Sequence, residues 1–240
     1  MISQYDWEGG REAMLRFGPD TGPVIVAALP LFEEANRTRA FVVSILRALA
    51  QRGVAGALPD MPGQGESCYP LEDATILKMQ SAYEAAVESF DRDGRNCYGM
   101  AIRSGALLDH LGMIYGRWHL SPQGGAQLLR ELTRMKQAEV GRDQKLGAHW
   151  YMDADVPTVA VAGNSLSTAL LTDLSLKEPW QREDAPDIPH RIVRMESDAQ
   201  PADLKVAGAP LWRRAEPDND PALADLLADD IAEWVRACES

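Results

Sequence analysis

The sequence predicts an α/β fold built on a doubly wound, mainly parallel sheet. Short apolar runs without polar alternation, such as residues 23–31, are typical of strands buried on both faces of a sheet. These runs alternate with longer amphipathic segments, and such alternation produces parallel βαβ units. Because 240 residues with 45% hydrophobic content suffice for one full core, we expect a single domain over residues 1–240.

The first half of the chain repeats the strand–helix unit. Weak alternation around Gly9 and Gly10 in residues 5–17 predicts an antiparallel hairpin at the sheet edge. Gly53 stands where a glycine ends a helix. The predicted strands are 23–31, 54–59 and 96–101, and the predicted helices are 38–52, 77–90 and 105–113.

The second half holds shorter predicted elements. The strands are 116–120, 157–163, 191–196 and 205–208, and the helices are 127–140, 165–176 and 221–237. Asp220 is the expected N-cap of the last helix. The polar, proline-rich residues 177–190 predict a surface loop. Residues 122–188 interrupt the regular alternation, and we expect them to form a small helical lid.

Composition limits the classes of partner. A net charge of −12 argues against duplex nucleic acid and anionic membrane surfaces, which both attract basic patches. No apolar run approaches the length of a membrane span, and the first residues lack the features of a signal peptide. Three scattered cysteines without a C-x-x-C pair favour a reducing compartment. We therefore expect a soluble cytoplasmic protein.

The most informative local feature is the turn after the strand at 96–101. Residues 99–105 have the outline of a nucleophile elbow, a strained strand–turn–helix junction that exposes one side chain. In G-x-S-x-G spacing, Ala101 and Gly105 flank the exposed position, which is Arg103. A guanidinium stays protonated and cannot attack a carbonyl. A register shifted by one residue would expose Ser104 as a nucleophile instead, and this alternative stays open.

Three features together resemble the α/β-hydrolase superfamily. They are the D-x-P-G-x-G-x-S loop at Asp60–Ser67, the elbow, and the ending from residue 191 to the closing helix. The resemblance implies a triad in the chain order Ser, Asp or Glu, His. It assigns the nucleophile position to Arg103, the acid position to Asp198 and the base position to residues 208–212, where no histidine occurs. The alternative is an active esterase or thioesterase that uses Ser104 with a displaced histidine.

The loop after the first parallel strand also departs from an oxyanion-binding pattern. Pro30 lacks an amide donor, and Glu33 and Glu34 oppose negative charge. Either glutamate could pair with a buried Arg103, or both could lie at a helix N-terminus, where the helix dipole favours carboxylates. Both interpretations stay open. The expected ligand-binding residues are Arg103, Glu33, Glu34, Leu31, Phe32 and Trp212.

The four histidines show no metal-binding spacing. They are His110, His119, His149 and His190, and neither H-x-H nor H-E-x-x-H occurs among them. We interpret each as a surface or locally bonded histidine and expect no metal and no cofactor.

A narrower resemblance follows from residues 31–39, 60–67, 102–108 and 118–125. They resemble the second of two hydrolase-like proteins associated with exosortase A systems, found beside exopolysaccharide and protein-sorting genes. That group is similar in holding an arginine within its elbow, although Ser104 here replaces a leucine there. The arginine at the elbow, the base segment without histidine and the altered loop indicate a protein without triad chemistry. We expect a non-catalytic or accessory protein that binds a small anionic, acyl or saccharide ligand, with Arg103 as anion anchor, and that has a protein partner or forms a homo-oligomer.

Overall fold

The computed structural model describes residues 1–110, 112–141, 145–147, 149–152 and 155–240. The strands are β1 (Ile2–Trp7), β2 (Gly10–Phe17), β3 (Val24–Ala28), β4 (Ala55–Pro59), β5 (Cys97–Ile102), β6 (Gly116–Leu120), β7 (Thr158–Val161), β8 (Asn164–Ser167), β9 (His190–Met195) and β10 (Leu204–Val206). The helices are α1 (Glu33–Gln51), α2 (Ile76–Asp91), α3 (Gly125–Val140), α4 (Thr168–Leu174) and α5 (Pro221–Cys238).

Eight strands form one sheet in the order β1-β2-β4-β3-β5-β6-β9-β10. The β1–β2 and β2–β4 pairs are antiparallel, and the other neighbours in this sheet are parallel. The predicted α/β class with a mainly parallel sheet is therefore confirmed, as is the hairpin at the sheet edge. Every residue of β3, β4 and β5 is buried, because helices cover both faces of the sheet centre.

Each face of the sheet has its own hydrophobic core. Helices α1 and α5 cover one face with side chains such as Phe41, Ile45 and Ile231. Helix α2 covers the other with Met79 and Tyr83, together with leucines of α3 and α4. Full burial of one such side chain contributes about 1.5–3 kcal/mol, so the two cores supply most of the driving force for folding. This layering leaves the carboxyl ends of the parallel strands as the edge at which a site can form.

Helix α1 ends and helix α5 begins at the residues that the sequence predicts, and a side-chain hydrogen bond anchors α5 to the sheet. Gly53 has a φ of 78° immediately after α1, which is the left-handed end of a helix. The side chain of Asp220 accepts a hydrogen bond from the Leu223 amide and so caps α5. Asp230 of α5 accepts from Trp118 Nε1 of β6 at 2.8 Å, which ties the closing helix to the sheet. None of the described helices is both long enough and apolar enough to cross a membrane.

The predicted helix at 105–113 is wrong. A short 3-10 helix spans Arg103–Leu107, and a turn follows it. Gln80 of α2 donates to the Leu107 carbonyl at 2.7 Å, and Arg117 of β6 donates to the Asp109 carbonyl at 2.9 Å. These carbonyls are bonded by other elements of the fold, so they do not continue an α-helical ladder.

The predicted strand at 157–163 and helix at 165–176 are each wrong in part. β7 does not join the main sheet but pairs with β8 in a separate hairpin, and the helix begins only at Thr168. Ala162 and Gly163 both have positive φ, 50° and 78°, which is the geometry of a tight two-residue hairpin turn. Within 122–188, the described residues hold α3, β7, β8 and α4. The lid and the single-domain organisation stay predictions.

Candidate functional site

Arg103 occupies the tip of the elbow. Its φ of 55° is costly for a residue with a side chain, and such strain concentrates at functional sites. The turn is possible because Gly105 passes close to the end of β3, where a Cβ on Gly105 would lie only 2.4 Å from the Ala28 carbonyl oxygen. Arg103 is 6% exposed, so the elbow presents a guanidinium held inside the protein.

Ser104 follows the elbow tip in the chain and is completely buried. Its Oγ accepts a hydrogen bond from the Leu31 amide at 2.9 Å. Among the hydrogen bonds of the described residues, none joins Ser104 to a histidine. In this structure the hydroxyl fastens the loop after β3 to the elbow.

The amides of that loop are already occupied. Pro30 has no amide hydrogen, the Leu31 amide donates to Ser104, and the Phe32 amide donates to Gln64 Oε1 at 3.3 Å. Hydrolases need free donors at this position, aimed where the oxyanion forms. The loop therefore lacks the donor set of an oxyanion hole in this conformation.

Two carboxylates hold the Arg103 guanidinium. Nε lies 3.2 Å from Glu34 Oε2, and Nη2 lies 3.2 Å from Glu131 Oε1. Glu33 and Glu34 both lie in the first turn of α1, so the helix-terminus interpretation applies to both, while only Glu34 also pairs with Arg103. The pKa of Glu34 is raised above its ordinary value: burial is the largest cause and Glu131 adds to it, while the charge and hydrogen bonding of Arg103 oppose it. Keeping the Glu34 carboxylate ionised beside Arg103 therefore costs free energy in the folded protein.

Glu131 is a site residue that the sequence analysis missed. Leu128, Glu131, Leu132 and Met135 of α3 all face one cavity. They lie at helical spacing i, i+3, i+4 and i+7, so Glu131 interrupts an apolar stripe. A lone carboxylate on such a stripe is the signal that would have identified it.

Arg103 and its partners line a cavity of about 480 Å³, called here the larger chamber. Its apolar wall contains Leu31, Phe32, Leu128 and Met135. Its charged residues are four arginines and three glutamates, namely Arg37, Arg103, Arg134, Arg213, Glu33, Glu34 and Glu131. The chamber therefore combines an apolar wall with a nearly balanced set of charges.

A second cavity of about 170 Å³, called here the smaller chamber, lies beside the first and shares Arg103, Trp212 and Arg213 with it. Its charged lining is three arginines and one aspartate, namely Arg103, Arg194, Arg213 and Asp198. Ser121 also lines it with a φ of 47°, and its buried hydroxyl has no hydrogen-bond partner among the described residues. The sequence analysis did not single out Ser121, Arg194 or Arg213.

Asp198, the expected acid, lies in the turn after β9 and lines the smaller chamber. Its Oδ2 accepts from Arg194 Nη1 at 2.8 Å, and its Oδ1 accepts from the Gln200 amide. Burial by itself raises the pKa of Asp198, but the bonds from Gln200 and Arg194 outweigh it and hold the pKa below its ordinary value. Asp198 is thus an ionised partner of an arginine.

Trp212 lies in the segment where the resemblance expects a histidine. Its ring centroid is 5.4 Å from Cζ of Arg103, a distance typical of a cation–π contact. Two of the histidines, His110 and His149, are exposed, whereas His119 and His190 are buried and bonded to each other. The interpretation as surface or locally bonded histidines takes its second form for this pair, although the bond joins residues 71 positions apart in the chain.

Comparisons with known proteins identify the fold. No family model and no curated protein matches the chain. Est1E from Butyrivibrio proteoclasticus, solved with ferulic acid bound, matches with a TM-score of 0.60 and 18% identity over 98% of both chains. A thermophilic esterase from Thermogutta terrifontis, malate bound, matches with a TM-score of 0.56 and 12% identity over 100% of both chains.

A third solved structure is an AqdC variant that recognises and ring-cleaves the Pseudomonas quinolone signal. It matches with a TM-score of 0.61 and 14% identity, over 99% of this chain and 100% of the other. Identities this low carry information about the fold alone. Together with the eight-stranded, mainly parallel sheet, these matches show that the chain has the α/β-hydrolase fold.

Proposed function

We propose that this α/β-hydrolase-fold protein is a non-catalytic or accessory protein that binds a small anionic ligand in the pocket at the elbow. The observation that carries the proposal is the charge around the smaller chamber: Arg103 and Arg194 pair with carboxylates, whereas Arg213 has no ion pair among the described residues. The chain as a whole has a net charge of −12, so this cationic lining is a local exception. Confined like charges repel each other, and a bound anion relieves that repulsion.

The ligand that suits both chambers is an acyl compound with a carboxylate head. Arg194, Arg213 and the unpartnered Ser121 hydroxyl supply donors for the head in the smaller chamber. The apolar wall of the larger chamber receives the tail, and its volume lies within the usual range of small-molecule sites, roughly 300–1,000 Å³. A saccharide would leave that apolar wall without a complementary surface.

The elbow itself supports a binding role. Arg103 supplies no nucleophile, the loop amides are occupied, and the base segment contributes Trp212. Acyl transfer needs a nucleophile, a base and oxyanion donors together. Arg103 would serve as an anion anchor between the chambers, exchanging a carboxylate of Glu34 or Glu131 for that of the ligand.

Isothermal titration calorimetry with sodium octanoate and with 1-octanol tests the proposal. We expect octanoate to bind at least tenfold more tightly, because charged hydrogen bonds contribute about 1.5–3 kcal/mol each. Arg213→Ala should weaken octanoate binding. Arg214→Ala, which removes an adjacent arginine that lines neither chamber, should leave it unchanged. Equal binding of the acid and the alcohol would contradict an anion site.

The second candidate is an active esterase or thioesterase that uses Ser104, and the likeness to esterase structures is the observation that favours it. A fluorophosphonate probe labels an activated serine. Labelling that disappears in Ser104→Ala would establish the enzyme and overturn the binding proposal. An unlabelled protein that binds octanoate would exclude this candidate.

The cellular setting of the proposal rests on composition and resemblance. We propose that the protein acts in the cytoplasm of cells with exosortase and exopolysaccharide genes, with a protein partner or as a homo-oligomer. Size-exclusion chromatography with light scattering, on the purified protein and on lysate fractions, separates these two assemblies. A monomer in both samples would contradict them.

A further inference from the structure

Two buried histidines and a buried aspartate form a hydrogen-bonded series apart from the elbow. Asp109 Oδ2 lies 2.8 Å from His119 Nε2, and His119 Nδ1 lies 3.0 Å from His190 Nε2. Asp109 and His119 are fully buried, and His190 is 7% exposed. His119 belongs to β6 and His190 to β9, which are parallel neighbours in the sheet.

The aspartate determines the direction of each proton in the series. A carboxylate only accepts hydrogen bonds, and Asp109 Oδ1 lies 4.0 Å from Arg117 Nε in an ion pair. His119 therefore donates from Nε2 and, as a neutral ring, accepts at Nδ1. His190 must then donate from Nε2, which leaves its Nδ1 as an acceptor.

His190 remains neutral at physiological pH. Burial lowers the pKa of His190 to about 4, with His119, Arg182 and Arg117 lowering it and Asp109 raising it. Among the hydrogen bonds of the described residues, this ring takes part through Nε2 and not through Nδ1. The series therefore ends in an unused lone pair.

His190 and His119 both line a cavity of about 350 Å³, called here the histidine cavity. Its hydrogen-bonding wall includes Gln127, Glu178, Gln181, Arg194, Gln200 and His190. This group holds one guanidinium, which pairs with Asp198, and one carboxylate, and the rest of it is uncharged. Such a wall offers donors and acceptors in several directions without attracting either sign of charge.

We propose that the histidine cavity is a second binding site, which takes an uncharged polyhydroxylated ligand of monosaccharide size through a hydrogen bond to His190 Nδ1. One ligand hydroxyl donates to this nitrogen, Glu178 and the glutamines accept from others, and Arg194 donates back. Asp109 and His119 are positioning residues that keep His190 in the accepting tautomer. This site shares Arg194, Gln127 and Gln200 with the smaller chamber, but its hydrogen bond to His190 does not depend on the anion proposal.

The proton directions can be observed by long-range ¹H–¹⁵N NMR on the histidine-labelled full chain at neutral pH. We expect His190 to be protonated at Nε2 and bare at Nδ1. In Asp109→Asn the side-chain amide can donate to His119 Nε2, so both rings should reverse and His190 Nδ1 should carry the proton. A protonated Nδ1 in the wild-type protein would overturn the proposal.

Ligand binding is tested by titrating D-glucose, D-galactose, D-mannose and myo-inositol, with the His190 Nδ1 resonance as readout. At least one should shift it at saturation, and His190→Gln should bind that compound about tenfold more weakly. His110→Gln changes an exposed histidine outside the cavity and should bind normally. If no compound shifts the resonance up to its solubility limit, the ligand class is refuted, and this wild-type measurement does not depend on how the variants fold.

Discussion

Trp212 packs its ring 5.4 Å from the Arg103 guanidinium carbon, in the segment where an active hydrolase would supply its histidine base. The nucleophile position and the base segment thus contact each other, but through a cation and an aromatic ring. The same guanidinium is held by Glu34 and Glu131, so its charge is balanced by residues from two helices. The guanidinium, the ring and the two carboxylates thus form one contact cluster at the elbow.

Removing the Arg103 charge should destabilise the protein. Arg103→Met leaves Glu34 and Glu131 facing each other without a cation, and breaking a buried ion pair in this way costs about 3 kcal/mol. Chemical denaturation measures the loss. Arg134→Met, an exposed arginine lining the same chamber, should change the free energy of unfolding little. A stable Arg103→Met protein would mean that the two glutamates are not held charged.

The raised pKa of Glu34 predicts a pH dependence of stability. A carboxyl whose pKa is higher in the folded state favours folding while protonated, so this contribution is lost as pH rises through the folded pKa. The stability of the wild-type protein relative to Glu34→Gln should therefore fall as pH rises from about 4, the ordinary glutamate value. Urea titrations over a pH series measure this difference. A difference that rises with pH would show a carboxylate stabilised by Arg103.

The contribution of Asp198 to stability should have the opposite pH dependence. Its pKa is lowered in the folded state, so its contribution is present above the ordinary aspartate pKa and is lost as pH falls through the folded value. Asp198→Asn should reduce stability at neutral pH by at most about 1 kcal/mol, because the pair is partly exposed. The same urea titrations apply. A loss confined to acidic pH would contradict this assignment.

The elbow should not tolerate a side chain at Gly105. A Cβ there would lie 2.4 Å from the Ala28 carbonyl oxygen and 2.6 Å from that of Leu29, and backbone atoms cannot easily move aside. Gly105→Ala should cost about 3 kcal/mol or prevent folding. At Gly112 the nearest atoms to an added Cβ are 3.8 Å away, so Gly112→Ala is the matched control and should be nearly neutral. Thermal unfolding distinguishes the two variants.

Ser104→Ala separates a structural hydroxyl from a catalytic one. It removes the acceptor of the buried Leu31 amide and should cost about 2 kcal/mol. Under the binding proposal, octanoate affinity should remain within a few-fold of the wild-type value. Ser89→Ala, a half-buried hydroxyl bonded to the Ala86 carbonyl of its own helix, is the control and should lose less stability. Unchanged stability together with lost labelling by a serine probe would favour catalysis.

Much of the fold was predictable because its signals are local. Apolar runs and amphipathic periods placed most strands and the helices α1, α2, α3 and α5 near their observed positions. The predicted elements were wrong where a hydrogen bond from a distant side chain determines the backbone conformation. One example is the bond that Gln80 donates to the Leu107 carbonyl. At residues 157–176, the positive φ of Ala162 redirected the chain, and a non-glycine residue gives little sign of that conformation in the sequence.

The sequence by itself determined the fold class, the elbow with Arg103 at its tip and the lack of a histidine in the base segment. These depend on residue order and short spacing. Only the tertiary structure showed that Glu34, and not Glu33, pairs with Arg103, and that Glu131 pairs with it as well. It also placed the two chambers side by side and brought His119 within hydrogen-bond distance of His190, 71 positions away in the chain. Charge pairing and hydrogen bonding act over a few ångströms in space, and only the packing of sheet and helices determines which distant residues come that close.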